Sequence, residues 1–252
     1  MTNRRRWTLE LLLLFALSLG RSGVYALVQL GADLTSGVPL ASVTTTINRP
    51  QAPASRPTLD LIYQLLGIAF ALVPVALACY FLAIGGERVK QVLGIDGSQP
   101  WRDLGVGALL AALIGGSGLA LYLIAHARGL SVNVVTTTLY PSWWRIPVLI
   151  LLAFENAILE ETLVVGFLLH RLQQLGWRPW PAAFASSVLR GSYHLYQGFG
   201  AFFGNAIMGL LFARVYQRWG RTAPLIIAHG LIDSVAFVGY VLLAGHVSWL
   251  PH

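Results

Sequence analysis

The sequence predicts an all-α protein, a polytopic bundle of about seven transmembrane helices, each as long as a hydrocarbon core requires. Three observations predict it. Hydrophobic residues make up 56% of the 252 residues and charged residues 11%, whereas a soluble domain carries about 25% charged residues. The mean hydropathy is +0.67. The apolar residues also fall in runs of about 20, the helix length that crosses ~30 Å of hydrocarbon.

The first run extends from Trp7 to Leu30. Arg4, Arg5 and Arg6 ahead of Leu11 to Leu14 imitate a secretory signal. The apolar pattern resumes from Val24 to Leu30 without a clear small-x-small cleavage site, so the run is read as an uncleaved span. Asn48 to Thr58, with Pro50, Pro53 and Pro57, reads as an exposed semi-rigid loop. The second and third spans run from Leu59 to Ile84 and from Leu104 to Ala125, the fourth from Ile146 to Leu169. The fifth, Pro181 to Tyr196, is the least apolar; Ser186, Ser187, Arg190, Gly191, Ser192 and His194 leave little face for lipid and place it inside the bundle. The sixth runs from Phe199 to Tyr216 and the seventh from Thr222 to Ala244.

The formal charge of +7 does not indicate nucleic acid, because the basic residues lie in short patches between apolar runs, where they orient helices and meet anionic lipid. With the N-terminus in the cytoplasm, 11 of the 17 basic residues fall inside, and only Arg49, Arg56, Arg128 and Arg145 outside; Arg21 and Arg190 lie within spans. That asymmetry fits the positive-inside rule and an integral protein of the cell membrane. Trp143, Trp144, Trp177, Trp180 and Trp249 suit an interfacial aromatic belt. Cys79 is the only cysteine, which excludes a disulfide framework and a thiolate zinc site.

Ionisable groups at membrane depth are costly and mark function by default. Glu160, Glu161, His194, His229 and Asp233 are such groups. Counted from the cytoplasmic ends at ~1.5 Å per residue, Glu160, His194, His229 and Asp233 lie ~14, ~20, ~12 and ~18 Å deep, so three helices bring polar groups to one level. Arg190 with His194, and His229 with Asp233, are four apart and share a helix face. Glu160 and Glu161 diverge by about 100°, which gives the two acids separate partners.

Three strings carry a resemblance: ENAILEETLVVG (Glu155 to Gly166), LRGSYHLYQG (Leu189 to Gly198) and AHGLID (Ala228 to Asp233). In that order and on successive apolar segments they are similar to the motifs of the CAAX-processing and bacteriocin-processing intramembrane proteases, the CPBP or Abi family, type II CAAX prenyl endopeptidase-like. The family pattern is E-E-x-x-x-R, then F-x-x-x-H, then H-x-x-x-N or H-x-x-x-D. The resemblance covers Ile146 to Tyr240. It implies a three-span scaffold at 1–145, a catalytic core at 146–244 and a tail at 245–252.

It further implies that Glu160 and His194 activate a water for attack on a peptide carbonyl, while His229 and Asp233 stabilise the oxyanion or bind a metal. Glu161 is then a structural acid that the family's arginine neutralises. The expected substrates are membrane-associated proteins or peptides, prenylated C-a-a-X proteins among them, with the site opening toward the cytoplasmic half. The bilayer is the other expected partner, and nucleic acid is not one. Glu160, His194, His229 and Asp233 could also form a tetrahedral zinc site; a metal-free, glutamate-activated water remains equally open.

Two positions depart from the pattern. Val165 stands where the family has arginine, and Arg190 where it has an aromatic residue. The two read as one change, with the cation moved to the next helix to pair with Glu161, because an unpaired buried carboxylate and an unpaired buried guanidinium are each strongly unfavourable. The alternative is a decayed site: a catalytically silent membrane scaffold or immunity protein. A proton-coupled transporter would show repeats and broken helices, and neither is visible. Glu155 lies off the face of Glu160 and reads as lining a cavity mouth. His126 and His170 read as interfacial, and His246 and His252 as tail residues. Arg21 interrupts the first span within reach of Glu10 or Asp33. Tyr193, Tyr196, Gln197 and Asn205 read as helix-packing groups.

Overall fold

The computed structural model describes residues 2–247. The chain opens as a bent pair, α1 (Asn3–Leu17) and α2 (Leu19–Thr35), which meet at 49°. Ser18 sits at the bend and its hydroxyl donates to the carbonyl of Leu14 at 2.7 Å; such back-bonding bends helices. The expected single span from Trp7 to Leu30 is therefore a broken one.

Strand β1 (Thr44–Asn48) follows, then α3 (Pro57–Ala71) and α4 (Val73–Ile84), a 28-residue path jogged ahead of Pro74, which has no N–H for the carbonyl four residues back. A short α5 (Val89–Leu93) leads to α6 (Pro100–Ala127) and strand β2 (Asn133–Thr137). Helix α7 (Arg145–Glu160) passes without a break into a π-helical stretch, Glu161–Phe167, and then α8 (Leu168–Gln174). Helix α9 (Pro179–Ser192) ends in a 3-10 turn at Leu195–Gln197, and α10 (Phe199–Trp219) and α11 (Ala223–Leu243) complete the bundle.

The chain is 75% helical with little strand, an all-α membrane bundle. Among the described residues four helical paths are long and apolar enough to cross a bilayer, or five if α1 and α2 count as one. The fourth and fifth of the seven expected spans are not among them: they are the path interrupted by the π stretch and α9, which has 14 residues. These are the elements that carry Glu160, Glu161 and Arg190, and at 16 residues for α7 and 14 for α9 neither regular helix alone reaches the length of about 20 residues that a crossing needs.

The strands were not expected. β1 and β2 pair in parallel, Thr44 opposite Asn133 and Asn48 opposite Thr137, and a bridge joins Ser131 to Gly198. The β-branched runs at 44–47 and 134–138 were the available signal. The segment from Asn48 to Thr58 is tied down at its start rather than free-standing. Asp60 accepts from the backbone N–H groups of Gln51 and Ala52 at 2.6 and 3.2 Å, and Gln64 donates to the Arg49 carbonyl at 2.9 Å.

The main core surrounds the π stretch, whose seven residues are all buried, with Leu14, Leu82, Ala183, Phe212 and Leu225 packed around it. Trp144 leaves the expected interfacial belt: it is buried with Leu139 and Val148, whereas Trp143 and Trp180 are exposed. Trp249 and His252 lie outside the described residues.

Candidate active site

The site begins where α7 changes its winding. A π turn closes i to i+5 hydrogen bonds and is frequent at functional sites, and here it starts at Glu161, directly after Glu160. The two buried carboxylates face different neighbours. Glu160 Oε2 accepts the Tyr193 hydroxyl at 2.8 Å, and its Oε1 lies 3.8 Å from His194 Nε2. Glu161 Oε1 takes Arg190 Nη2 at 2.5 Å and His229 Nδ1 at 2.8 Å. The guanidinium bridges the acids, since Nη1 of Arg190 is also 3.4 Å from Glu160 Oε2. His229 Nε2 turns to Asp233 Oδ2 at 3.4 Å on the same helix.

Neighbouring elements make room for this cluster. Arg190 is fully buried, with its guanidinium carbon 5.6 Å from the centre of the Phe212 ring. Gly209 on α10 leaves the space its stem occupies, because a Cβ there would stand 2.9 Å from Arg190 Cδ. His194 lies just beyond the end of α9, and its ring meets that of Tyr193 at 4.9 Å between centroids. Several buried polar atoms have no hydrogen-bond partner in the protein: Glu161 Oε2, Arg190 Nε and Nη1, and both ring nitrogens of His194. Buried polar groups are nearly always paired, so these five atoms are the unusual feature of the cluster.

All five acid and histidine positions singled out in the sequence converge here, with Arg190 against Glu161. Tyr193 was read as a packing residue and instead donates to Glu160; its place beside His194 was the only signal. Glu155 is buried on α7 outside the hydrogen-bonded cluster. Asn205 donates to the Ala201 carbonyl within its own helix, and Gln197 donates to Tyr196. His126 is placed near the Ser131 carbonyl at 3.4 Å. His170 meets Glu87 at 2.6 Å, and the adjacent Arg171, read as marking a membrane boundary, is completely buried. Arg21 packs over the Tyr25 ring at 5.7 Å, while Glu10 and Asp33 bond to Arg171 and Gln29 instead.

A cavity of about 450 Å³ opens beside the cluster, bounded by α2 and β1 and by Tyr193 and Tyr196. It lies at the strand end of the bundle. The N-terminus is at the opposite end, where Arg4 donates to the Leu175 carbonyl and Arg171 holds Glu10 and Glu87. The cavity thus lies away from the N-terminal end, because α9 starts at that end and the chain reaches Tyr193 and Tyr196 only beyond its far end.

Glu160, Glu161 and His229 each offer a ligand atom within 4.8 Å of the others. This trio differs from the set of Glu160, His194, His229 and Asp233 expected for zinc. The carboxylates of the trio already hold Arg190, and Glu161 Oε1 is shared between Arg190 and His229. A divalent cation would sit against a buried guanidinium, so the arrangement does not fit a metal.

No curated protein and no solved structure matches the chain. The family model described as type II CAAX prenyl endopeptidase Rce1-like matches residues 141–235. That stretch contains Glu160, Glu161, Arg190, His194, His229 and Asp233. The resemblance carried by the three motifs is thereby borne out: over residues 141–235 the chain is similar to the type II CAAX prenyl endopeptidases, a protease family.

Proposed function

We propose that this integral membrane protein is an intramembrane endopeptidase, with residues 146–244 as its catalytic core, that hydrolyses peptide bonds of membrane-associated proteins. The observation that carries the reading is the convergence of Glu160, His194 and the Arg190–Glu161–His229–Asp233 chain at one level beside an open cavity. The 3.8 Å from Glu160 Oε1 to His194 Nε2 is too long for a direct hydrogen bond. A water lying beside both atoms can bond to each.

Glu160 takes a proton from that water as its oxygen attacks the peptide carbonyl carbon. The carbonyl oxygen becomes an oxyanion, and when the intermediate collapses the C–N bond breaks and Glu160 returns the proton to the leaving amine. Donors for the oxyanion come from the partnerless ring of His194 and from His229. His229 Nδ1 is committed to Glu161, so its Nε2, loosely held by Asp233, is the atom free to turn. Arg190 holds Glu161 in place. No step needs a metal.

The distribution of basic residues supports an N-terminus in the cytoplasm of the cell membrane. In that orientation the cavity opens on the outer face, which favours substrates presented there over prenylated proteins of the cytoplasm.

The test is a comparison of membrane-protein termini in cells that carry the parent protein or Glu160→Gln at matched abundance. Loss of the general base should lower cleavage by about 10²- to 10⁴-fold, so termini made by the parent should vanish with the variant. Identical termini together with a retained phenotype would return the chain to the silent scaffold reading.

A further inference from the structure

We propose that the cavity between α2 and β1 receives one side of the substrate peptide, and that Arg21 and Arg49 bind a carboxylate of that peptide there. The proposal rests on the protease reading and names the substrate chemistry it would select. Both arginines line the cavity and both are exposed. Among the described residues neither side chain has a carboxylate partner; Arg21 has only the Tyr25 ring, and Asp33, the single acid of the lining, is bonded to Gln29. Each guanidinium with free N–H donors lining the concavity presents a fork suited to a carboxylate.

One side chain in the cavity wall links it to the catalytic cluster. Tyr193 forms part of its wall and donates to Glu160 Oε2 at 2.8 Å. Helix α2 is seated directly against this point, because Gly23 is buried where a Cβ would stand 2.7 Å from Ser192 Oγ. Arg21 lies two residues before that contact and Tyr25 two after it. The facing wall is Thr44 and Thr45 of β1, which pairs with β2 alone among the described strands and so keeps an edge for an extended peptide backbone. A phospholipid phosphate could also satisfy two arginines. The hydroxyl-bearing wall, the strand edge and the link to Glu160 favour peptide.

The experiment measures binding, so that turnover is not required. Glu160→Gln protein in phosphatidylcholine nanodiscs is incubated with two pools of short peptides, randomised identically at apolar positions. One pool carries Asp and Glu at its polar positions and the other Asn and Gln. Retained peptide is quantified by mass spectrometry. The acidic pool should be retained about tenfold better, as expected for a charge-assisted pair. Arg21→Gln with Arg49→Gln should bring the ratio to about one, and Lys at both positions should restore part of it. Equal retention of the two pools by the starting protein would overturn the subsite.

Adding phosphatidylglycerol separates the other source. Retention of that lipid which depends on the two arginines, with no acid preference among peptides, would assign them to lipid phosphate and overturn the proposal. The two readings fail separately. Acid-selective retention by a protein whose parent cleaves nothing supports the subsite and removes the protease, whereas cleavage without acid preference does the reverse.

Discussion

Arg171 and Arg190 are both completely buried, and each joins acids from distant parts of the chain. At Arg171 every nitrogen has an acceptor. Nε bonds Glu10 at 2.8 Å, Nη1 bonds Glu87 at 2.5 Å and Gln174 at 2.7 Å, and Nη2 bonds the Phe81 carbonyl at 3.2 Å. At Arg190 only Nη2 makes a hydrogen bond; Nη1 has just the 3.4 Å ion-pair contact with Glu160, and Nε is buried with no acceptor. A saturated network fixes helices and has nothing left to offer a ligand. An unsaturated one is costly to stability and is retained where something else uses the spare donors. The same kind of ion pair is thus saturated at the N-terminal end of the bundle and left with spare donors in its middle, where the proposed reaction takes place.

Removing each guanidinium is the strongest way to break this contrast. Arg171→Leu removes four hydrogen bonds at once, leaving Glu10 with Arg6 and Glu87 with His170 and Gln174, and should lower stability by about 3 kcal/mol, read as a fall in Tm in detergent. Arg190→Leu removes a single hydrogen bond from Glu161, which keeps His229, and should also destabilise, but by less. Adding Glu161→Gln to Arg190→Leu should recover most of that loss while activity stays absent. Arg190→Leu as stable as the parent would end the pairing of Arg190 with Glu161.

A second test asks whether Val165 and Arg190 are one change. Val165 is fully buried in the π stretch, so Val165→Arg alone adds a second guanidinium and excess volume and should cost about 1–3 kcal/mol or more. Combined with Arg190→Phe, it restores the family's arrangement of cation and aromatic. The double variant should be closer to the parent in Tm than Val165→Arg is. A double variant no better than the single would mean that the two positions are independent.

The legible part of this protein was its polarity. Glu160, Glu161, His194, His229 and Asp233 stood out because hydrocarbon makes each of them expensive, and a partner for Glu161 followed from the same cost. The bundle was legible as apolar runs, but the π winding at Glu161–Phe167 was not, since its residues satisfy an α pattern equally well. Arg171 was hidden by position: a basic residue at the end of an apolar run reads as a boundary, and only tertiary structure brings Glu10 and Glu87 to it. The strand pair was hidden by separation, because β1 and β2 lie on either side of four helices, α3 to α6, and neither run forms a hairpin. Within the segment 1–145 read as scaffold, α2 and β1 wall the cavity beside Tyr193.

The smallest expected effect concerns the clamp and pH. Burial alone would raise the pKa of Glu87, but hydrogen bonds from Arg171 and Gln174 and the charges of Arg171 and His170 outweigh it and hold the carboxyl below its usual 4.5. A carboxylate whose folded pKa is depressed stabilises the fold above its unfolded value, and that contribution is lost as pH falls through the folded one. Acidification from about pH 5 downward should therefore loosen the junction of α4, α5 and α8 by less than about 1 kcal/mol, because the group is partly exposed and screened. Hydrogen-exchange protection factors at residues 85–89, which correct for the intrinsic pH dependence of exchange, should fall with acid in the parent, and in Glu87→Gln should be lower already at neutral pH and change little on acidification. Protection factors that are flat with pH in the parent would mean that Glu87 adds nothing to the Arg171 clamp, leaving Glu10, Gln174 and the Phe81 carbonyl to hold it.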